Sequence, residues 1–292
     1  YDMRILSLSF LLGLFFLCSP ILNAQELPEW QNLSVVTQNT EAPRSTFYVY
    51  DSEEEAVENA YYKSKNLLLL NGTWKFNLAD TPEQRPKDFY QPDFKTNDWD
   101  DINVPGDWQM QGYDFPLYVS AGYTHAINPP FVDTIYNPIG SYKREFKIPK
   151  DWKAKQIKLY FGGVTSVFYV WINGKKVGYD EDAKTPSEFD ITSFIKPGNN
   201  EIAVEVYRWS DGTYLEDQDF WRLSGIERNV YVYAQPKAHI QDFFFKAGLD
   251  TEYIDGIFDG KIAVKNDGAT TENLQLDLKI SDANEELYSA TQ

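Results

Sequence analysis

The sequence predicts an all-β protein built of packed antiparallel sheets, a sandwich or jelly roll, and three observations carry that prediction. Beyond residue 66, short apolar runs of strand length recur and several alternate at period two. Gly, Pro and Asn turn signals separate them. No long 3.6-residue periodicity appears there, so βαβ units are not expected.

Composition sets the outer limits. The chain has 292 residues, 42% apolar and 16% aromatic, enough for one large domain or two ordinary ones around a sizeable core. Its formal charge of -17 opposes long-range attraction to a phosphate backbone, so nucleic acid is not an expected partner. Tyrosine and tryptophan are abundant, at 20 and 8 residues. Such amphipathic rings suit a large β core and also a surface that stacks on sugars.

Residues 1–24 read as an export signal. Tyr1 and Asp2 precede the initiator candidate Met3 and look like sequence outside the natural start. Arg4 is followed by the apolar run 5–18, broken only by Ser7, Ser9 and Gly13, and then by residues 19–24, with cleavage expected after Ala24. The run is short for a membrane span. This implies a periplasmic or secreted protein. A lipid anchor on Cys18 is the lesser alternative, because Phe15, Phe16 and Leu17 are not a small-residue approach. Cleavage after Ala24 leaves no cysteine, so stability must come without disulfides.

Residues 25–66 are polar and irregular and read as an extended arm or surface strap, with a helical turn or two around Ala56-Val57-Glu58-Asn59-Ala60. Strands are then expected at 67–70, 73–78, 141–148, 156–161, 167–172, 176–179, 201–209 and 229–233. Asn71-Gly72 marks a turn, and Asn173-Gly174 joins 167–172 to 176–179 as a hairpin. Between strands, residues 104–113 and 123–131 form a long aromatic-rich region of the kind that carries function on a rigid scaffold. Pro236 marks a boundary, closing a first unit at 67–235. A new series follows at 239–246, 256–266 and 274–280, and the alternation Leu274, Leu276, Leu278, Ile280 predicts one buried face. Three or four strands leave a sandwich half built, so 236–292 reads as the start of a second domain.

The residues that bear chemistry are mainly acids. No GxxxxGK, dinucleotide glycine pattern or HExxH occurs, and His125 and His239 leave little material for a histidine triad or zinc site. His125 fits a structural role in its Tyr/Pro-rich loop, and His239 opens a strand. In 208–222, Asp211, Glu216, Asp217 and Asp219 are interleaved with aromatics and with Arg208 and Arg222. Retaining glycoside hydrolysis needs two carboxyls about 5 Å apart, a gap that loop spacing does not define. Three readings stand at this point: a catalytic pair, a ligand or cation site, and a structural loop whose arginines balance buried acids.

Several ordered motifs carry a resemblance. They are Leu70-Asn71-Gly72-Thr73-Trp74-Lys75-Phe76, Val104-Pro105-Gly106-Asp107-Trp108-Gln109, Asn128-Pro129-Pro130-Phe131-Val132 and Asn137-Pro138-Ile139-Gly140-Ser141-Tyr142. Gly162-Gly163-Val164, Val170-Trp171-Ile172-Asn173-Gly174, Ser187-Glu188-Phe189-Asp190, the stretch Arg208-Trp209-Ser210-Asp211-Gly212-Thr213-Tyr214-Leu215-Glu216-Asp217-Gln218-Asp219 and Trp221-Arg222-Leu223-Ser224-Gly225-Ile226 follow in order. Over residues 30–292 the chain resembles the N-terminal part of glycoside hydrolase family 2 β-galactosidases of the large bacterial lactase type.

That resemblance implies a jelly-roll (galactose-binding-like) sandwich at 67–235, an incomplete immunoglobulin-like β-sandwich at 236–292, and a TIM barrel beyond Gln292. In the family the barrel carries both catalytic glutamates and Mg2+, so no catalytic residue is expected in this chain, which alone would be inactive. Asp211 matches the family aspartate that contacts sugar hydroxyls and a bound Na+. Both roles suit a carboxylate, an acceptor for hydroxyls and an oxygen donor to a hard cation. Ser120 stands where the family has a second sugar-contacting asparagine; it is shorter and has no amide donor, which unsettles the sugar contacts. The implied partners are a β-galactoside glycan, the barrel of the same protein and a second copy in a homo-oligomer. The implied activity is retaining hydrolysis of terminal non-reducing β-D-galactose. A related β-glucuronidase or β-mannosidase, a carbohydrate-binding module without catalysis, and a purely structural β domain are the alternatives.

Overall fold

The computed structural model describes residues 27–58, 60–216, 218–282 and 285–292. The expected export signal at 1–24, with Cys18, and the acid Asp217 lie outside the described residues. Among the described residues, no helix is long and apolar enough to cross a membrane.

Two antiparallel sheets pack face to face. The larger runs in the order Thr37–Gln38, Lys175–Asp180, Val167–Ile172, Gly198–Tyr207, Ile139–Ile148, Gly72–Ala79 and Asp100–Val104. The smaller runs Ser187–Asp190, Gln156–Phe161, Val230–Gln235 and Leu67–Leu69. Side chains from their facing surfaces form one core, including Trp74, Phe76, Tyr142, Phe168, Val170 and Val204 against Leu159, Phe161, Val230 and Val232. Fully burying an apolar side chain of this size stabilises by roughly 1.5–3 kcal/mol, so this layer is what holds the architecture.

The central strand Val167–Ile172 is buried along its whole length. Phe168, Val170 and Ile172 point into the inter-sheet core, while Val167, Tyr169 and Trp171 join a second cluster with Trp30, Phe89, Trp99, Tyr207 and Trp209. Coverage on both faces explains why this stretch is apolar without alternation. A third, smaller cluster of Tyr160, Tyr231 and Tyr233 lies under Tyr48.

The arm is thus more than a strap. Trp30 is 6% exposed and stacks on Tyr207 at 5.1 Å, and Thr37–Gln38 adds an edge strand beside Lys175–Asp180. Its helix, Glu53–Glu58, opens on three acids that suit a helix N-terminus. Ser45 reaches the next unit, its N–H donating to Asp242 at 2.9 Å and its hydroxyl to the Phe243 carbonyl at 3.0 Å.

Two turn expectations resolve differently. At Asn173-Gly174 both residues have positive φ (52° and 81°) and Ile172 pairs with Lys175, the geometry of a tight hairpin. At Asn71-Gly72 the chain instead crosses from the smaller sheet to the larger. Gly72 takes φ 114° there, and the Asn71 side chain bonds both the Asn229 side chain and the Val230 N–H.

After Pro236 come two hairpins, Ala238–Leu249 with Gly256–Asn266 and Asp277–Asp282 with Glu285–Thr291. The buried face expected along 274–280 is not buried. Leu274 is 50% exposed and Leu276, Leu278 and Ile280 are half-buried, because no second layer among the described residues covers that face.

Candidate functional site

The strand Gly198–Tyr207 delivers Arg208, Trp209 and Ser210 to the end of the larger sheet, where a short 3-10 turn, Asp211–Tyr214, begins. Asn137 holds this exit like a surrogate strand. Its side chain accepts from the Trp209 N–H and donates to the Trp209 carbonyl, both at 2.9 Å. Ser210 starts the turn, its N–H bonded to Thr213 Oγ1 at 3.0 Å and its hydroxyl 2.7 Å from that of Ser166. The position of Asp211 is therefore set by backbone and buried hydroxyls.

Beneath the turn lies the buried pair Arg208 and Asp114, with side-chain exposures of 0% and 3%. Arg208 donates to Asp114, to Tyr136 Oη, and to the carbonyls of Phe115 and Arg222 at 3.1 and 3.3 Å. One guanidinium thereby ties the strand exit, both ends of the long loop and the segment after the turn. The sequence reading that Arg208 balances a buried acid is right in kind, but the acid lies in the earlier loop, outside 208–222.

Asp211 is 2% exposed. Its Oδ1 accepts the Gly212 N–H at 3.0 Å, while Oδ2 is buried without a hydrogen-bond partner. Burial pushes its carboxyl above the usual range, against the pull of the Gly212 bond and of the neighbouring Glu181 carboxyl. Its neighbour Glu181 is buried too, and buried Asp180 and half-buried Glu216 lie in the adjoining segments. Burial, aided by the charge of Asp211, raises Glu181 well above the carboxylate range although the Tyr179 hydroxyl donates to it. Burial brings Asp180 to about 6 against the Ser187 hydrogen bond, and Glu216 to about 7 against the Ala183 N–H. Each of these carboxyls therefore binds a proton more readily than a free one.

Ser120 is exposed just after Leu117–Val119, which pairs with Phe220–Arg222 as a two-stranded ribbon. No hydrogen bond among the described residues joins Ser120 to Asp211. Their segments meet through Tyr123, whose hydroxyl donates to the Tyr214 carbonyl at 3.0 Å, and through His125, packed between Trp209 and Tyr214. His125 is a packing residue in this loop. His239 sits among the Pro236 and Lys237 carbonyls and the Gln235 and Gln241 side chains.

With this geometry in place, residues 67–236 match the model of glycosyl hydrolases family 2, sugar binding domain. The chain belongs to this family. A Priestia megaterium β-galactosidase is 44% identical over 267 residues, 89% of this chain and 26% of that protein. A Vibrio vulnificus β-galactosidase is 46% identical over 187 residues, 64% of this chain and 18% of that protein. The chain thus spans only a minor part of the curated relatives it matches. Among solved structures, a β-glucuronidase of an uncultured Clostridium species aligns with a TM-score of 0.61 at 21% identity, covering 85% of this chain and 40% of that one. Bacteroides uniformis β-glucuronidase aligns with a TM-score of 0.61 at 24% identity, over 77% and 25%. At such identities the likeness is one of fold.

Within family 2, then, this is a sugar-binding, hydrolase-associated segment. The described residues contain no group of three or more His, Cys, Asp or Glu placed to hold a metal ion. Sequence reasoning named Asp211 through its motif but missed Asp114, Tyr136, Asn137 and Glu181. Of these, only Asn137 carried a signal, lying in the Asn-Pro-Ile-Gly-Ser-Tyr motif.

Proposed function

We propose that this chain is the N-terminal part of an exported, retaining β-galactosidase that acts on terminal β-D-galactose. In this reading the two facing sheets are a galactose-binding-like jelly roll at 67–235. Residues 236–292 open an immunoglobulin-like sandwich, and a following barrel of the same protein carries the two catalytic glutamates with Mg2+. The observation that carries the reading is Asp211, with one carboxylate oxygen fixed by Gly212 and the other buried and unpartnered. An orphaned buried oxygen is costly unless a ligand completes it. Asp211 fits as one oxygen donor to Na+, the remaining donors coming from outside the described acids, and as an acceptor for sugar hydroxyls. The ion, when bound, supplies positive charge against the Asp211 carboxylate. Ser120, exposed on the adjoining loop, reaches the sugar through water or not at all. Similarity at 44% identity to a protein named β-galactosidase supports galactose over glucuronic acid.

Replacing Asp211 with Asn in the full-length protein tests this. Losing a charged hydrogen-bond acceptor costs about 1.5–3 kcal/mol, so kcat/KM for a β-galactoside falls roughly 10- to 150-fold and its sodium dependence flattens. Unchanged kinetics across sodium concentrations remove Asp211 from the site.

A further inference from the structure

Trp221 breaks a rule that the rest of the molecule obeys. Of the eight tryptophans, Trp30, Trp74, Trp99, Trp108, Trp152, Trp171 and Trp209 are 9% exposed or less, whereas Trp221 is 54% exposed. It sits on the two-stranded ribbon directly opposite Tyr118, also 54% exposed, so both rings lie on one ribbon face. Their centroids are 5.6 Å apart with planes at 52°. The Tyr118 hydroxyl donates to Asp219 Oδ1 at 2.6 Å, which pins a carboxylate at the edge of the aromatic face. Trp221 and Phe220 also line a cleft shared with Trp209 and Thr213, the residues flanking Asp211, and with Lys184 and Glu216.

We infer that this ribbon is a second sugar contact, a stacking platform for the ring next to the terminal residue of the glycan. The inference rests on the reading of Asp211 as a contact to the terminal sugar. A pyranose presents an apolar C–H face and a rim of hydroxyls. An aromatic face edged by Asp219, with Lys184 and Glu216 in the adjoining cleft, matches both features. An apolar protein surface seated here would strip water from the exposed Asp219 carboxylate, which is costly. Because the cleft borders the Asp211 turn, the two contacts read successive units of one chain.

The test uses the full-length protein with Trp221→Ala and Trp221→Phe, assayed on lactose and on methyl β-D-galactoside. Trp221→Ala is expected to raise KM for lactose about tenfold while leaving methyl galactoside within about twofold, and Trp221→Phe to recover most of the loss. Equal losses on both substrates would mean that the ribbon is packed against another part of the same protein, and no change on either would mean an idle surface; both overturn the inference. If the unmodified protein cleaves neither substrate, the galactosidase reading fails separately. The ribbon is then judged by saturation-transfer NMR with lactose: transfer to the glucose ring that Trp221→Ala abolishes supports it, and absence of transfer in the unmodified protein overturns it.

Discussion

Replacing Asp114 with Ala should unfold the loop cluster that presents Asp211. The Arg208 guanidinium is fully buried and Asp114 is its counter-charge. Removing one partner of a buried pair strands the other charge, at a cost of about 3–5 kcal/mol. At about 2–4 °C per kcal/mol for a domain of this size, the melting temperature falls by roughly 10 °C. Asp114→Asn keeps an acceptor oxygen but not the charge, so it costs less, about 1.5–3 kcal/mol. The double replacement Asp114→Leu with Arg208→Met removes both charges and should cost less than Asp114→Ala alone. Urea unfolding followed by near-ultraviolet circular dichroism measures all three. A loss below about 1 kcal/mol for Asp114→Ala, or a double variant that costs the sum of its singles, refutes the argument that this pair holds the loops.

Two further predictions concern the scaffold and the acids. A Cβ at Gly178 would lie 2.4 Å from the Gln38 carbonyl oxygen and 2.5 Å from the Phe189 ring, so Gly178→Ala should cost about 1–3 kcal/mol. It should also release the edge strand Thr37–Gln38, seen as faster amide exchange there; unchanged exchange contradicts this packing. Glu216, raised by burial to about 7, binds a proton more tightly folded than unfolded. Its stabilising contribution is complete below the ordinary glutamate range and is lost as pH rises through about 7. Asp107 and Asp180, raised by burial to about 6, act in the same direction. Burial alone would raise Glu29, but hydrogen bonds from Lys176 and Tyr169 hold it at about 2, so it stays ionised throughout. The melting temperature should therefore fall between pH 5 and 8, less steeply in Glu216→Gln; identical pH profiles for the two proteins would remove Glu216 from the account.

What was legible in the sequence follows the range of the interactions involved. The Asn173-Gly174 hairpin and the strand before it rest on local turn chemistry and an unbroken apolar run of strand length, so neighbouring residues suffice to read them. Trp30 was not legible, because the sheet face it covers comes from strands more than a hundred residues later. Asn71-Gly72 reads as an ordinary turn until its side-chain bonds to Asn229 and Val230 show a crossing between sheets. Arg208 and Asp114 lie 94 residues apart, and no periodicity connects a strand exit to a loop acid. Asp211 was legible only through its motif. Its buried neighbour Glu181, which follows the strand Lys175–Asp180, is far from it in sequence.

The central claim is tested most directly by the substrate preference of the full-length protein. With p-nitrophenyl β-D-galactoside, β-D-glucuronide and β-D-mannoside under one set of conditions, kcat/KM should favour the galactoside by about a hundredfold or more, because the Asp211 carboxyl offers acceptors to hydroxyls and no positive partner to a glucuronate carboxylate. A preference for the glucuronide would contradict the assignment and place this chain with the β-glucuronidases whose fold it shares.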